Sequence, residues 1–513
     1  MSANVSFFVD SNLKSSSHDG KSAETAFRDF EILNSMTLSP GDCIYLKSGS
    51  VFTDHLIING SGEEGAPITV APYGQDNAKP IIATADGSAF CVLVKGEYVT
   101  VCGLELTNPS GTNALLVKSE KQGAVRGVIV KDCYIHDVWI ENDLGPRHLR
   151  PKSWPHEAGG ISIETNREAP TWYEGLCIEH NTIERVNRTG IWLGGQWNNR
   201  FKNTLRWMAN PADGMDDPWY PHRDIYIGYN LVDHAHGDGI VGVGCVNLLM
   251  EYNRVYYANC MSRNGNSNVA LWTMNCTGAL VQYNEVAFTC REYGGDGEAF
   301  DIDQCNIDNI YQYNYSHDNT GGFFLVCNGC SAKDSLYHNI VRNNLSVNDA
   351  TGRDDALLNF SGPMRDIKFL NNTVYTARSN RFRLLQIADY PQIGLPQDLY
   401  FINNAFVSEQ SNNWNNIEAA GKLFFYNNVC WNITRLPQRE NIVDQNYYTV
   451  LPVFQEECIP ATRSHAKGFS PMWNSPLLRL GVPDCDAADR DFFGNDTEGK
   501  IYIGAICTRD MNI

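Results

Sequence analysis

Apolar residues in this chain alternate with polar ones over short runs of three to six positions, and each run stops at a polar turn. Alternation of this kind marks strands with one face turned into a core. Many runs close on an Asn: Asn181, Asn230, Asn253, Asn284, Asn314, Asn344, Asn372, Asn404 and Asn428 follow Ile178, Ile227, Met250, Val281, Tyr311, Val341, Phe369, Phe401 and Phe425 at the same spacing. From Asn230 onward the interval runs from 23 residues (Asn230 to Asn253) to 32 (Asn372 to Asn404). Short strands at such a period predict a solenoid. A propeller needs a longer, steadier period of four strands, and the Leu-rich consensus of a leucine-rich repeat is absent. The pattern predicts an all-β, right-handed parallel β-helix with three strands per coil. A repeated corner Asn would stack into a ladder and take the left-handed turn that the corner demands.

Residues 1–513 read as a single solenoid domain, with 1–50 as its N-terminal end. Residues 430–513 form a closing segment. Two insertions, 138–160 and 196–222, interrupt the regular coils and carry Trp154, His156, Trp197, Trp207 and Trp219. Long loops on a compact scaffold are usually functional. Aromatic and Arg side chains on them suit sugars, because rings stack on C–H faces and guanidinium groups bond hydroxyls.

One phrase departs from the repeat. Residues 294–303 (Gly-Gly-Asp-Gly-Glu-Ala-Phe-Asp-Ile-Asp) hold four acids, Asp296, Glu298, Asp301 and Asp303. If Phe300 and Ile302 point inward, Asp301 and Asp303 point outward, roughly 6–7 Å apart at about 3.3 Å of rise per residue. The aligned runs Asn268–Trp272 and Gly321–Leu325 are small, apolar or aromatic at the outward positions. Crowded carboxyls raise one another's pKa, so the cluster is the candidate catalytic centre, with capping of the corner or a structural cation as the bland alternative. Arg291 and Glu292 enter the same corner, Trp272 offers a stacking platform one coil earlier, and Asp238 occupies the equivalent corner between His236 and Gly239. Trp154, His156 and His317 complete the candidate substrate contacts, although a packed histidine is the commoner reading of His317.

The charge of −19 disfavours nucleic acid or an anionic membrane as partner. Met1 to Val9 shows no leader pattern and no apolar run spans a bilayer. Of the 16 cysteines, Cys133, Cys177, Cys245, Cys276, Cys290 and Cys430 sit at apolar strand positions, and only Cys327–Cys330 has CxxC spacing, without a second pair. Reduced thiols, a cytoplasmic location and no metal are expected; a removed leader would make the protein secreted.

The opening (Phe8–Asn12, Asp19–Phe27, Pro40–Gly49), the first coils (Ile58–Gly74) and the tail (Asp491–Ala505) resemble right-handed parallel β-helix, pectate-lyase-like carbohydrate-active enzymes. The chain is similar to β-helix glycoside hydrolases of the lacto-N-biosidase type. That resemblance implies two catalytic aspartates seven residues apart on one coil, here Asp296 and Asp303, with Asp301 as first substitute and Glu298 as second. It implies an N-terminal cap over 1–50 with a helix at Ala23 to Met36 that closes the open end of the solenoid, an oligo- or polysaccharide substrate and no cofactor. The alternatives are a polysaccharide lyase using Ca²⁺ and a Lys or Arg base on a uronate, and a non-catalytic carbohydrate-binding β-helix.

Overall fold

The computed structural model describes residues 4–507 except 15–16, 76, 86, 139–157, 167, 196, 199, 202–218, 261–266, 292–295, 330–333, 353–355, 378–382, 389–392, 415–416, 418–419 and 457–462. These residues form a parallel β-helix. Among the described residues the paired strands run parallel, and successive coils contribute to three sheets. By contact the chain falls into two compact units. The first comprises Met1–Asn199, Leu205–Leu249 and Ala258–Asn266, and the second Arg200–Thr204, Met250–Tyr257 and Ser267–Ile513. No helix among the described residues is long and apolar enough to cross a membrane.

The first unit begins with its cap. The expected helix over Ala23 to Met36 reduces to a 3₁₀ turn at Ala23–Thr25 and a short α-helix at Glu31–Ser35. Phe27 is the reason: its N–H donates to Phe8 O and its carbonyl accepts from Asp10 N, which draws the chain between the two pieces into extended pairing. Asn34, on the α-helix, takes the Ile57 N–H on Oδ1 and donates to His55 O, so a side chain satisfies part of the first coil's edge. Phe30 and Phe52 stack beneath it at 4.8 Å.

In the second unit one coil reads Leu280–Gln282 in the first sheet, Glu285–Ala287 in the third and Phe300–Ile302 in the second. Phe300, Phe324 and Phe360 project from the last of these sheets in consecutive coils and meet Tyr311, Phe369 and Phe401 inside. All are almost wholly buried.

The ladder runs through Asn253, Asn284, Asn314, Asn344, Asn372, Asn404 and Asn428. Each Oδ1 takes both the backbone N–H and the side-chain N–H of the Asn one coil before, and from Asn284 onward Nδ2 also donates to a carbonyl of the preceding coil, as Asn314 does to Val281 O. The left-handed residue is not the Asn, as expected, but its predecessor: Tyr252, Tyr283, Tyr313 and Asn343 have φ of 52–57°. The Asn stays extended so that its amide turns inward. The tyrosines offset their strained backbone by stacking, Tyr252 on Tyr283 and Tyr283 on Tyr313, each at 5.0 Å.

The outer face of the third sheet is apolar and carries a second core. Tyr315, Leu345, Val347 and Tyr375 are covered by Phe454, Phe469, Leu477, Phe492 and Ile503 of the closing segment. The described cysteines are free thiols. Several follow a left-handed corner and donate Sγ–H to the carbonyl two residues back, as Cys133 does to Lys131 and Cys276 to Met274.

Candidate active site

The second sheet of the second unit carries the acids. Trp272, Asp301, Leu325, Asn359 and Gln386 are in direct register in successive coils and form one outward row. Neighbouring positions on that row are about 4.8 Å apart. Phe300 and Ile302, either side of Asp301, lie in the core. Trp272 and Asp301 are themselves nearly covered, whereas Asp296 and Asp303 are half-buried.

The corner before this strand is built from glycines. Asp296 has φ of 64° and bridges Asn268, whose carbonyl accepts the Gly297 N–H. A Cβ on Gly321, in the next coil, would sit 2.3 Å from the Gly297 carbonyl carbon, so the two corners approach as closely as backbone allows. Phe300 pairs with Phe324, which sets Gly322 opposite Glu298. Glu298 takes a 2.6 Å bond on Oε1 from Asn359 Nδ2, two coils on. Its Oε2 is buried without a hydrogen bond. Burial, and then the Asp296 charge, push the Glu298 carboxyl up to about 8, against the pull of Arg291 and Asn359.

Cys327 ends the strand Phe324–Cys327 one coil on. Burial raises its thiol pKa, and the charges of Asp303, Asp301, Asp296 and Glu298 all push the same way. One sulfur therefore feels all four carboxyls. Below them, inside the coil, Tyr311 Oη donates to Asp301 O (2.8 Å) and contacts Thr273 Oγ1 (3.0 Å). Asn306 Nδ2 donates to Asp303 O (2.6 Å) and Thr273 O (2.7 Å). These buried polar groups fix the backbone that aims Asp301 and Asp303. The Asp303 carboxylate also caps the following turn, accepting the Gln304 N–H at 2.8 Å.

The structure thus brings together Asp296, Glu298, Asp301, Asp303, Arg291 and Trp272. Asp238 belongs to the first unit, where it is fully buried and ion-paired with Arg188 at 3.3 Å. His317 stands on the third sheet, 2% exposed, between Asp318 (3.0 Å) and Glu285 (3.8 Å). Glu292, Trp154 and His156 lie outside the described residues. Of the second insertion's aromatics, Tyr220 stacks on Trp172 and meets Trp197 edge-on within the first unit. Asn359 and the Tyr311–Thr273–Asn306 network went unread in the sequence, and Cys327 was read only as half of a CxxC spacing. Asn359 had a signal, a lone polar residue at an outward position of the apolar run Ala356–Phe360.

No known family description matches the chain. A curated lacto-N-biosidase from Bifidobacterium longum subsp. longum is 26% identical over 98% of this chain. The chain resembles lacto-N-biosidases. It spans 36% of that relative's length. The GH136 lacto-N-biosidase structure from Eubacterium ramulus aligns with a TM-score of 0.57 at 23% identity, covering 77% of this chain and 67% of that one. XylC in complex with xylose aligns over 98% of both chains with a TM-score of 0.52 at 11% identity. The likeness to these two structures is one of fold.

Proposed function

We propose that the protein is a glycoside hydrolase acting on an oligo- or polysaccharide, with Asp296 and Asp303 as its carboxylate pair and Asp301 between them. The observation that carries this reading is the set of four carboxyls that the strand Phe300–Ile302 and its two flanking turns hold on one coil, with Glu298 buried and its pKa pushed up. Glycosidic cleavage needs protonated and ionised carboxyls at one site, and crowding supplies that division. Trp272, in register with Asp301, supplies an aromatic face beside the acids. The sequence likeness to a lacto-N-biosidase favours a glycan substrate of that enzyme's kind over a uronate.

The test is release of sugar from aryl glycosides, including an aryl lacto-N-bioside, and from host-type oligosaccharides. Asp296→Asn and Asp303→Asn should each abolish release with the melting temperature retained. Asn tolerates the left-handed backbone at 296, and an Asn at 303 keeps the oxygen that accepts the Gln304 N–H. Full activity in both variants would overturn the assignment. Products that absorb in the near ultraviolet as unsaturated sugars would identify a lyase instead.

A further inference from the structure

The outward row of the second sheet is covered on one side of the acids and open on the other. Trp272 and Met274, one coil before them, are 5% and 0% exposed. Past the acids Leu325 gives way to Asn359 and Gln386, which are partly exposed and in register in consecutive coils. A second row, Cys327, Ser361 and Ala388, runs beside them, small and partly exposed throughout. A glycan that reaches the acids along this sheet therefore has its room over the later coils. Gln386 stands three coils from Asp301, about 14 Å at about 4.8 Å per step.

Each amide on this strip is turned one way by a partner with a single hydrogen-bonding role. Asn359 Nδ2 faces Glu298 Oε1 (2.6 Å) and also Ala356 O (3.4 Å), and a backbone carbonyl only accepts. The amide is therefore oriented whatever the charge on Glu298, and Oδ1 is left over. Gln386 Oε1 takes the Arg383 Nη1–H at 3.0 Å, and a guanidinium only donates, which leaves Nε2. Among the described residues neither Asn359 Oδ1 nor Gln386 Nε2 is bonded, and neither is sealed from water. The strip thus offers an acceptor and, one coil on, a donor, with the Ser361 hydroxyl beside them. Leu325, Asn359, Gln386, Cys327, Ser361 and Ala388 are all uncharged. Neutral donors and acceptors next to four acids suit sugar hydroxyls and repel a uronate.

We propose that Asn359 and Gln386 are specificity-determining residues that hold a neutral sugar remote from the cleaved bond, Asn359 Oδ1 accepting from a hydroxyl and Gln386 Nε2 donating to an oxygen of the glycan. The bound chain runs from the acid coil towards the later coils. This rests on the hydrolase reading above and deepens it.

Gln386→Glu tests it, since Glu keeps the oxygen that Arg383 bonds and removes only the donor. On a neutral host-type tetrasaccharide the variant should lose about 10- to 100-fold in kcat/KM, the range for a hydrogen-bonding group left without its partner. The loss should sit in KM with kcat retained, because a contact so far from the reacting atoms is made equally in the ground and transition states. The melting temperature should not fall. Kinetics like those of the wild type would overturn the proposal, and so would a loss confined to kcat.

A second measurement needs no turnover. Titration calorimetry of the same tetrasaccharide into the Asp303→Asn protein should give a Kd that Gln386→Glu weakens about 10-fold or more. An equal Kd, or no binding by either protein, would overturn the proposal, as would tighter binding of a uronate tetrasaccharide than of the neutral one. A wild type that binds the neutral glycan through Gln386 and cleaves none overturns the hydrolase reading alone. One that cleaves it, with Gln386→Glu indifferent, overturns this proposal alone.

Discussion

Asn359 Nδ2 donates to Glu298 Oε1 at 2.6 Å across an intervening coil, in which Leu325 is in register with Asn359. The bond favours the ionised form of Glu298 and so pulls its pKa down. Replacing Asn359 by Leu should therefore raise the Glu298 pKa further, as read from the titration of its side-chain carboxyl ¹³C resonance. It should also cost about 1–3 kcal/mol in urea unfolding, because Oε1 is left buried and unpaired. A midpoint that stays in place would show that the bond does not tune this carboxyl.

The ladder should be expensive to break. Asn314 takes two bonds from Asn284, gives two to Asn344 and one to Val281 O, and is 1% exposed. Asn314→Ala strands several of these partners at about 1–3 kcal/mol each. Circular dichroism in urea should show a midpoint loss well beyond that of Asn446→Ala, a position near the open surface. Equal losses would mean that the ladder adds nothing to stability.

His317 should make stability depend on pH. Burial works against its charge, but Asp318 and Glu285 more than compensate and hold it up at about 9. A histidine raised above its unfolded value stabilises fully below about pH 6.5, and that contribution fades as pH rises through about 9. Its size is on the order of 3 kcal/mol. Thermal melts from pH 6 to 10 should fall in this window, and His317→Gln should flatten the fall while starting lower. A parallel decline in the variant would assign the effect elsewhere.

Gly321→Ala should damage the acid corner. Its Cβ would stand 2.3 Å from the Gly297 carbonyl carbon, and both neighbours are backbone with no side chain to yield. A drop in melting temperature with a larger drop in kcat is expected. An unaffected enzyme would show that the two coils separate at little cost.

The fold was legible because its signals are periodic. Alternation at Phe300, Asp301 and Ile302 set the facing, and Asn284 to Asn428 set the corners. The acid cluster was legible because Asp301 broke an apolar row. What stayed hidden was distance across coils. No spacing along the chain reveals that Asn359 meets Glu298, since 61 residues separate them. Nor does any spacing reveal that His317, beside an acid, belongs under the closing segment's side of the solenoid. The helix expected over Ala23 to Met36 failed for a related reason: Phe27 found a strand partner at Phe8, and a distant hydrogen bond outweighed local propensity.

The Asn ladder has a consequence for how the groove can change. Because each corner is clamped to the next, the height of a side chain on the outward row is quantised in steps of about 4.8 Å. Moving a polar group from residue 359 to residue 325 or 386 shifts it by one whole step, and nothing in between is open to the backbone. Finer adjustment is left to rotamers and to the length of the side chain, which is how a Glu at 298, one methylene longer than an Asp, comes to touch a residue two steps away.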